Sequence, residues 1–316
     1  LFFIPSAVIG LIAVRWYPEI PFEFLASRSL WVKLGEASYL VFFYLSKIFL
    51  PINLSFVYYN WRGEMPEWIL FLSFFSLFFS VVLGFLYRKH IVFKGIFYSL
   101  LSFIVLMFPV LGFFDIYFMR YSPASDHYQY PAYLLIIPGI VFLLDNFLSS
   151  SFIKLGLAAL ATTACFVLSF QHTAIYKDEW ALWTHTLEMN PQSGLALNNL
   201  GILLEAKGRI EEAKVLWMKN LEQDSKDVES HVNMGFYYVR KEQPEQALDH
   251  LAQALRQRPD SFAGNLNAGL AFMLKQDYDK AILHFKIALK IRSDASNVKD
   301  LLALAEGAIA KRKDSK

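Results

Sequence analysis

Three consecutive segments of this chain align at a period of 34 residues: "GLALNNLGILLEAKGRIEEAKVLWMKNLEQDSKD" from Gly194, "VESHVNMGFYYVRKEQPEQALDHLAQALRQRPDS" from Val228 and "FAGNLNAGLAFMLKQDYDKAILHFKIALKIRSDA" from Phe262. Gly201, Gly235 and Gly269 fall in register, as do Ala213, Ala247 and Ala281, and the bulky set Trp217, Leu251 and Phe285. Small residues at fixed places let paired helices approach closely, and the bulky ones fill the seam. A unit of this length cannot bury its apolar face alone, so its copies must stack into a solenoid.

Period and register together are the tetratricopeptide (TPR) pattern. Read backwards, the register puts Trp183 at the bulky position and Pro191 at the repeat end, so "YKDEWALWTHTLEMNP" is expected to be the second helix of an earlier repeat. Its first helix would then be the last apolar run, docking the solenoid on a membrane without a flexible linker. Residues 194–295 form three repeats, 173–193 a junction helix, and 296–316 a capping helix and tail ending in "KRKDSK". Asn199, Asn233 and Asn267 also share a register. An asparagine amide both donates and accepts, so such a row could bond the main chain of an extended peptide in a concave groove. The same amides could instead bond locally between helices.

Residues 1–172 have a different character. The whole chain is 55% hydrophobic and 17% aromatic, with 30 phenylalanines, and most of this excess lies here. A membrane helix needs about 20 apolar residues, and candidate spans fall near 1–14, 35–52, 67–86, 91–109, 129–148 and 153–172. The chain begins on Leu1 in apolar sequence with no charged leader, so the first span is expected to be truncated. Arg15, Arg28 and Lys33, then Arg88, Lys89 and Lys94, then Lys154, outnumber Arg62 and Arg120 in the alternate loops. The positive-inside rule places the first group in the cytoplasm and residue 173 onward outside it. The expected fold is therefore all-α: a polytopic transmembrane helical bundle followed by a TPR α-solenoid, in a multi-pass membrane protein. A net charge of +2 without a dense basic cluster argues against nucleic acid as a partner. The single cysteine, Cys165, excludes an internal disulfide and a cysteine metal site.

"YLSKIFLPINLSFVYYNW", "PVLGFFDIYFMRYSPASDHYQY" and "LWTHTLEMNPQSGLALNNLG" resemble bacterial polytopic proteins that end in TPRs, which are similar to the transmembrane and TPR-containing O-mannosyltransferases. The resemblance covers nearly the whole chain. It implies a C-type glycosyltransferase fold that moves sugar from a polyprenyl-phosphate carrier to a protein on the extracytoplasmic side, without a nucleotide sugar at the site; the sequence itself shows neither a phosphate-binding glycine loop nor a His/Cys/Asp metal cluster, and no cofactor is expected. It also implies a catalytic acidic residue in a first external loop upstream of Leu1, so neither Asp115 nor Asp126 takes that role. Pro123 and Pro131 depart from the family pattern.

Arg120 and His127 precede a span on its external side, and Lys47 ends a neighbouring one. Helix N-termini favour anions, and arginine offers a planar fork for phosphate oxygens. Arg120, His127 and Lys47 are thus expected to hold the phosphate of a lipid-linked sugar, with Asp126 orienting His127 or Arg120. For Lys47 the competing reading is a lysine that snorkels to lipid headgroups. Asn53-Leu54-Ser55 matches a glycosylation sequon but abuts the membrane and reads as structure, and Glu36 reads as interfacial. Two other functions compete with the transferase: a non-catalytic TPR scaffold for envelope proteins, and a transporter. The transporter is disfavoured because the charges cluster at interfaces and not at mid-bilayer.

Overall fold

The computed structural model describes residues 28–61, 64–113 and 117–314. The expected span over 1–14, together with Arg15, Arg62 and Asp115, lies outside them. All regular structure among the described residues is helical, and the chain divides into two compact units, Leu1–Pro191 and Gln192–Lys316.

In the first unit, helices α1 (Leu30–Phe49), α2 (Glu67–Leu86), α3 (Ile91–Met107), α4 (Tyr130–Phe147), α5 (Ser151–Thr173) and α6 (Glu179–Met189) follow in order. Local chemistry sets their ends. Ser29 and Ser150 accept bonds from the backbone N–H groups of Val32 and Ile153. These N-caps start α1 and α5 a few residues before the apolar runs that predict them. Pro131 stands in the first turn of α4, where its missing N–H costs no helix bond, so this departure from the family pattern suits a helix start. Buried side chains from α1 (Leu40, Val41, Tyr44), α3 (Phe103, Met107) and α4 (Ala132, Ile136) meet in one core with Tyr58, Leu111 and Ala124 of the connecting loops. That core sits where α1 and α3 end and α4 begins, so it anchors the 50–61 and 117–129 loops.

Four helical segments, Glu67–Leu86, Ile91–Val110, Asp126–Phe147 and Ser151–Tyr176, are long and apolar enough to cross a membrane. Their apolar side chains point outward: in α5 no residue is buried, and Phe152 is 85% exposed. The expected span over 35–52 is different. α1 contains Lys33, Glu36 and Lys47 and is not among those four segments. Glu36, expected at an interface, is buried and receives both of its bonds from Arg28, at 2.7 and 2.8 Å.

The second unit pairs α7 (Gly194–Ala206) with α8 (Ile210–Gln223), α9 (Val228–Arg240) with α10 (Pro244–Gln257), and α11 (Phe262–Leu274) with α12 (Tyr278–Ile291); α13 (Ser296–Asp314) closes the stack against α12. Each first helix is capped in register, by Ser193, Asp227 and Ser261, whose side chains accept from Ala196, Ser230 and Gly264. The bulky row is fully buried, and each member presses on the glycine of its own repeat. A Cβ built on Gly201 would lie 2.2 Å from Trp217, one on Gly235 2.5 Å from Leu251, and one on Gly269 2.4 Å from Phe285.

Adding even a methyl group at such a seam forces helices or rotamers apart, at a cost of about 1–3 kcal/mol. Nothing lies within 4 Å of a Cβ on Gly307 in α13, where alanine only improves helix propensity, by up to about 1 kcal/mol. Gly235→Ala is therefore expected to lower the thermal midpoint of the TPR transition and Gly307→Ala to leave it unchanged or raise it. Differential scanning calorimetry of the intact chain measures both.

Candidate functional site

The two loops at the core end of the first unit are joined by side chains distant in sequence. The Tyr58 hydroxyl donates to Asp126 Oδ1 at 2.6 Å. The Tyr58 backbone N–H donates to Ser122 Oγ at 2.9 Å, and Ser122 in turn donates to the Ala124 carbonyl. The Ser125 N–H donates to the Tyr44 hydroxyl at 3.1 Å. The aromatic ring of Phe56 makes edge contacts with Phe118 and with Trp183 of α6. Burial first, and then the Asp126 charge, hold the Tyr58 phenol above its ordinary range, so it stays a donor.

The four residues expected to hold a phosphate are placed as follows. Lys47 donates to the carbonyls of Ile52 and Asn53 at 2.8 and 3.2 Å, and its ammonium lies 5.4 Å from the ring centres of Phe43 and Tyr58. It fastens the turn after α1, and its charge faces carbonyl dipoles and ring faces. His127 is exposed, on the short turn Asp126–Gln129, with Nδ1 2.8 Å from Ser125 Oγ. The Asp126 carboxylate accepts from Tyr58. Of its two expected partners, His127 lies within its electrostatic reach, and Arg120 lies in the turn Tyr117–Arg120, its side chain outside the described residues.

Two buried oxygens in this cluster lack a hydrogen bond of ordinary geometry, Asp126 Oδ2 and Gln129 Oε1, and Gln129 is only 2% exposed; the Asp126 carboxylate also feels the Ser55 backbone and the Lys47 charge. Sequence reasoning overlooks Gln129, Tyr44, Ser122 and Ser125. Their only signal is the polar composition of "RYSPASDHYQY", since the pairings cross 64 to 81 residues of chain.

In the second unit the asparagine row is not three equivalent free groups. Asn199 donates to the Leu195 carbonyl of its own helix at 2.7 Å, Asn233 donates to Asn198 Oδ1 at 3.3 Å, and Asn267 is buried. Asn198 belongs to a buried network between the first two repeats. Ser230 donates to Asn198 Oδ1 at 2.9 Å, Asn220 donates to Ser230 at 2.8 Å, and Asn198 donates to Asp227 at 3.0 Å. One turn beyond the row, Ile202 is exposed, and Phe236 and Leu270 are half-buried at the same register.

The TPR seams also carry histidines in register. His250 Nδ1 lies 3.0 Å from His231 Nδ1, and His284 Nδ1 lies 2.9 Å from Asn265 Oδ1. His231 Nε2 lies 3.0 Å from the Ser225 carbonyl, so it carries a proton and donates there, which leaves neutral His231 accepting from His250. Burial lowers the pKa of both His250 and His284, and His231 lowers His250 further.

Two family models described as tetratricopeptide repeat match the chain, over residues 182–215 and 233–296. No curated protein matches it. Among solved structures, the first TPR domain of human RPAP3 is 18% identical, covering 40% of this chain and 100% of its own, with a TM-score of 0.38. MamA protein is 17% identical, covering 46% of this chain and 79% of its own, also with a TM-score of 0.38.

A histidine whose folded pKa is below the unfolded value of about 6.5 binds fewer protons when folded, so acid favours unfolding. Stability attributable to His250 and His284 is fully present above that unfolded value and is lost as pH falls through their folded values. The TPR transition is expected to melt at a lower temperature at pH 5 than at pH 7.5, and the double variant His250→Gln/His284→Gln to narrow that gap. Calorimetry at the two pH values checks this. The repeat register and the two family-model matches together establish that the chain carries tetratricopeptide repeats between residues 182 and 296.

Proposed function

We propose that the chain is a polytopic protein of a bacterial inner membrane whose TPR array holds a client polypeptide on the extracytoplasmic side. The observation that carries this reading is the sequence of two features in one chain. A 23-residue helix, α5, has no buried residue, and TPR sequence begins nine residues after it, at 182. An apolar helix without a protein cover is the composition of a lipid-facing span, and TPR repeats are protein-binding surfaces. Ile202, Phe236 and Leu270, beside the asparagine register, suit an extended segment with apolar side chains.

The test is a double variant, Ile202→Asp/Phe236→Asp. Photo-crosslinking at this face in native membranes is expected to lose its protein adduct while membrane integration stays intact. Retained crosslinking contradicts the client-binding reading.

A second reading is favoured by the buried polar cluster at the loop end of the first unit. In it the chain is the C-terminal part of a glycosyltransferase, as the family resemblance implies: a polyprenyl-phosphate-linked sugar binds at the bilayer surface and the TPR array presents the acceptor protein. Arg120 and His127 would face the phosphate. Lys47 acts here as a fastener of the 50–61 loop. Tyr58→Phe removes the donor to Asp126 and is expected to reduce transfer of radiolabelled sugar to protein in native membranes about tenfold or more, since buried unpaired acceptors cost about 1–3 kcal/mol. Unchanged incorporation contradicts the transferase reading and leaves the scaffold.

A further inference from the structure

We propose that Asp126 and Gln129 form a subsite for the hydroxyl groups of a sugar, separate in role from the residues that face a phosphate; this deepens the transferase reading and rests on it.

The two unpartnered oxygens, Asp126 Oδ2 and Gln129 Oε1, are both acceptors. They stand three residues apart on the turn that leads into α4, a spacing that puts side chains on the same side of a helix. Buried acceptors of native proteins are rarely left without donors, and the donors that could reach these two differ in kind. A phosphate brings no donor when ionised and would set like charges side by side. Calcium and magnesium take six or more oxygen ligands and zinc three or four His, Cys or carboxylate ligands, and no group of three His, Cys, Asp or Glu residues gathers among the described residues. The Lys47 ammonium gives hydrogen bonds to two carbonyls and acts on Asp126 through its charge, without a hydrogen bond to it. A hydroxyl group fits both atoms: it donates to the carboxylate, and it can either donate to or accept from a glutamine amide, whichever way that amide is turned.

The surroundings suit a pyranose. Tyr58 is bonded to Asp126. A tyrosine presents an apolar ring face to the C–H side of a sugar and a hydroxyl to its edge. Few polar groups on an otherwise apolar wall are the usual composition of a small-molecule site. Exposed His127 and Tyr130 flank Gln129 on the same turns, and rotamer changes of this kind commonly open a site to its ligand.

The experiment uses the full chain in a zwitterionic detergent and three radiolabelled probes in equilibrium dialysis: a short-chain polyprenyl-phosphate hexose, the same polyprenyl phosphate without sugar, and the free hexose. Wild type is expected to bind the sugar-bearing lipid about tenfold or more tighter than the sugar-free lipid. Gln129→Met, which keeps length and apolar volume, and Asp126→Asn, which keeps an acceptor for Tyr58, should each remove most of that difference. Gln129→Met should leave binding of the sugar-free lipid unchanged, Asp126→Asn, which removes a negative charge beside His127, should leave it unchanged or tighten it, and thermal melts show whether each variant is folded. Wild type that does not distinguish the two lipids, or variants that weaken both lipids equally or neither, overturns the subsite, even if lipid-phosphate binding persists. Binding of the free hexose that both variants abolish, without any lipid binding, supports the subsite and removes the lipid-linked donor from the transferase reading. If wild type binds none of the three probes, both fail.

Discussion

A helix of 23 residues with no buried side chain places one demand on everything around it: its apolar surface must be covered by something other than water. Burying such surface is worth roughly 25 cal/mol per Å², so leaving α2, α4 and α5 with outward phenylalanines and leucines in water would cost more than a domain's net stability. In the proposed reading lipid is that cover. Polar chemistry in the first unit is then confined to helix ends, where backbone groups can be satisfied and ionisable side chains are tolerated. The Tyr58–Asp126 bond, the Lys47 carbonyl contacts and the Ser122 and Ser125 bonds all lie at one such end. The Arg28–Glu36 pair occupies the beginning of α1.

The second unit follows a different solvent logic. Its helices are held by short seams in which a glycine on one helix receives a tryptophan, leucine or phenylalanine from the next. The polar groups that remain inside are paired, as in the Asn198–Ser230–Asn220 network. Stacking of near-identical units leaves the first helices with a repeating face, and the part-open apolar residues Ile202, Phe236 and Leu270 recur along it. In the proposed reading such a face contacts several residues of an extended client at once, so that weak individual contacts add up to recognition.

How much of this was legible in the sequence varies with the range of the interaction. The 34-residue period fixes the glycine, alanine and bulky positions, because both partners of each contact lie within one repeat, and the structure places them together. Helix bodies follow from apolar runs, but their starts follow from single capping residues: Ser29 begins α1 at Leu30, five residues before the apolar run does. The asparagine register is visible, yet its use is not, because Asn233 turns to Asn198 of the previous repeat. Tyr58 reads as one member of an aromatic belt, and only folding brings it to a carboxylate 68 residues away. Lys47 is legible as a cation near a helix end, but its two carbonyl partners depend on the turn at Ile52 and Asn53. Gln129 is legible only as part of a polar stretch, since an unpaired buried oxygen is a property of packing.

The central claim is that the polar loops of the first unit and the TPR repeats face one compartment, away from the cytosol. Cys165 is the single cysteine, so Cys165→Ser supplies a silent background for His127→Cys and Asn233→Cys placed one at a time. In intact cells with a permeabilised outer envelope, a membrane-impermeant maleimide is predicted to label both positions before the inner membrane is breached. Labelling of one position only after the membrane is opened, with the other labelled before, contradicts the account.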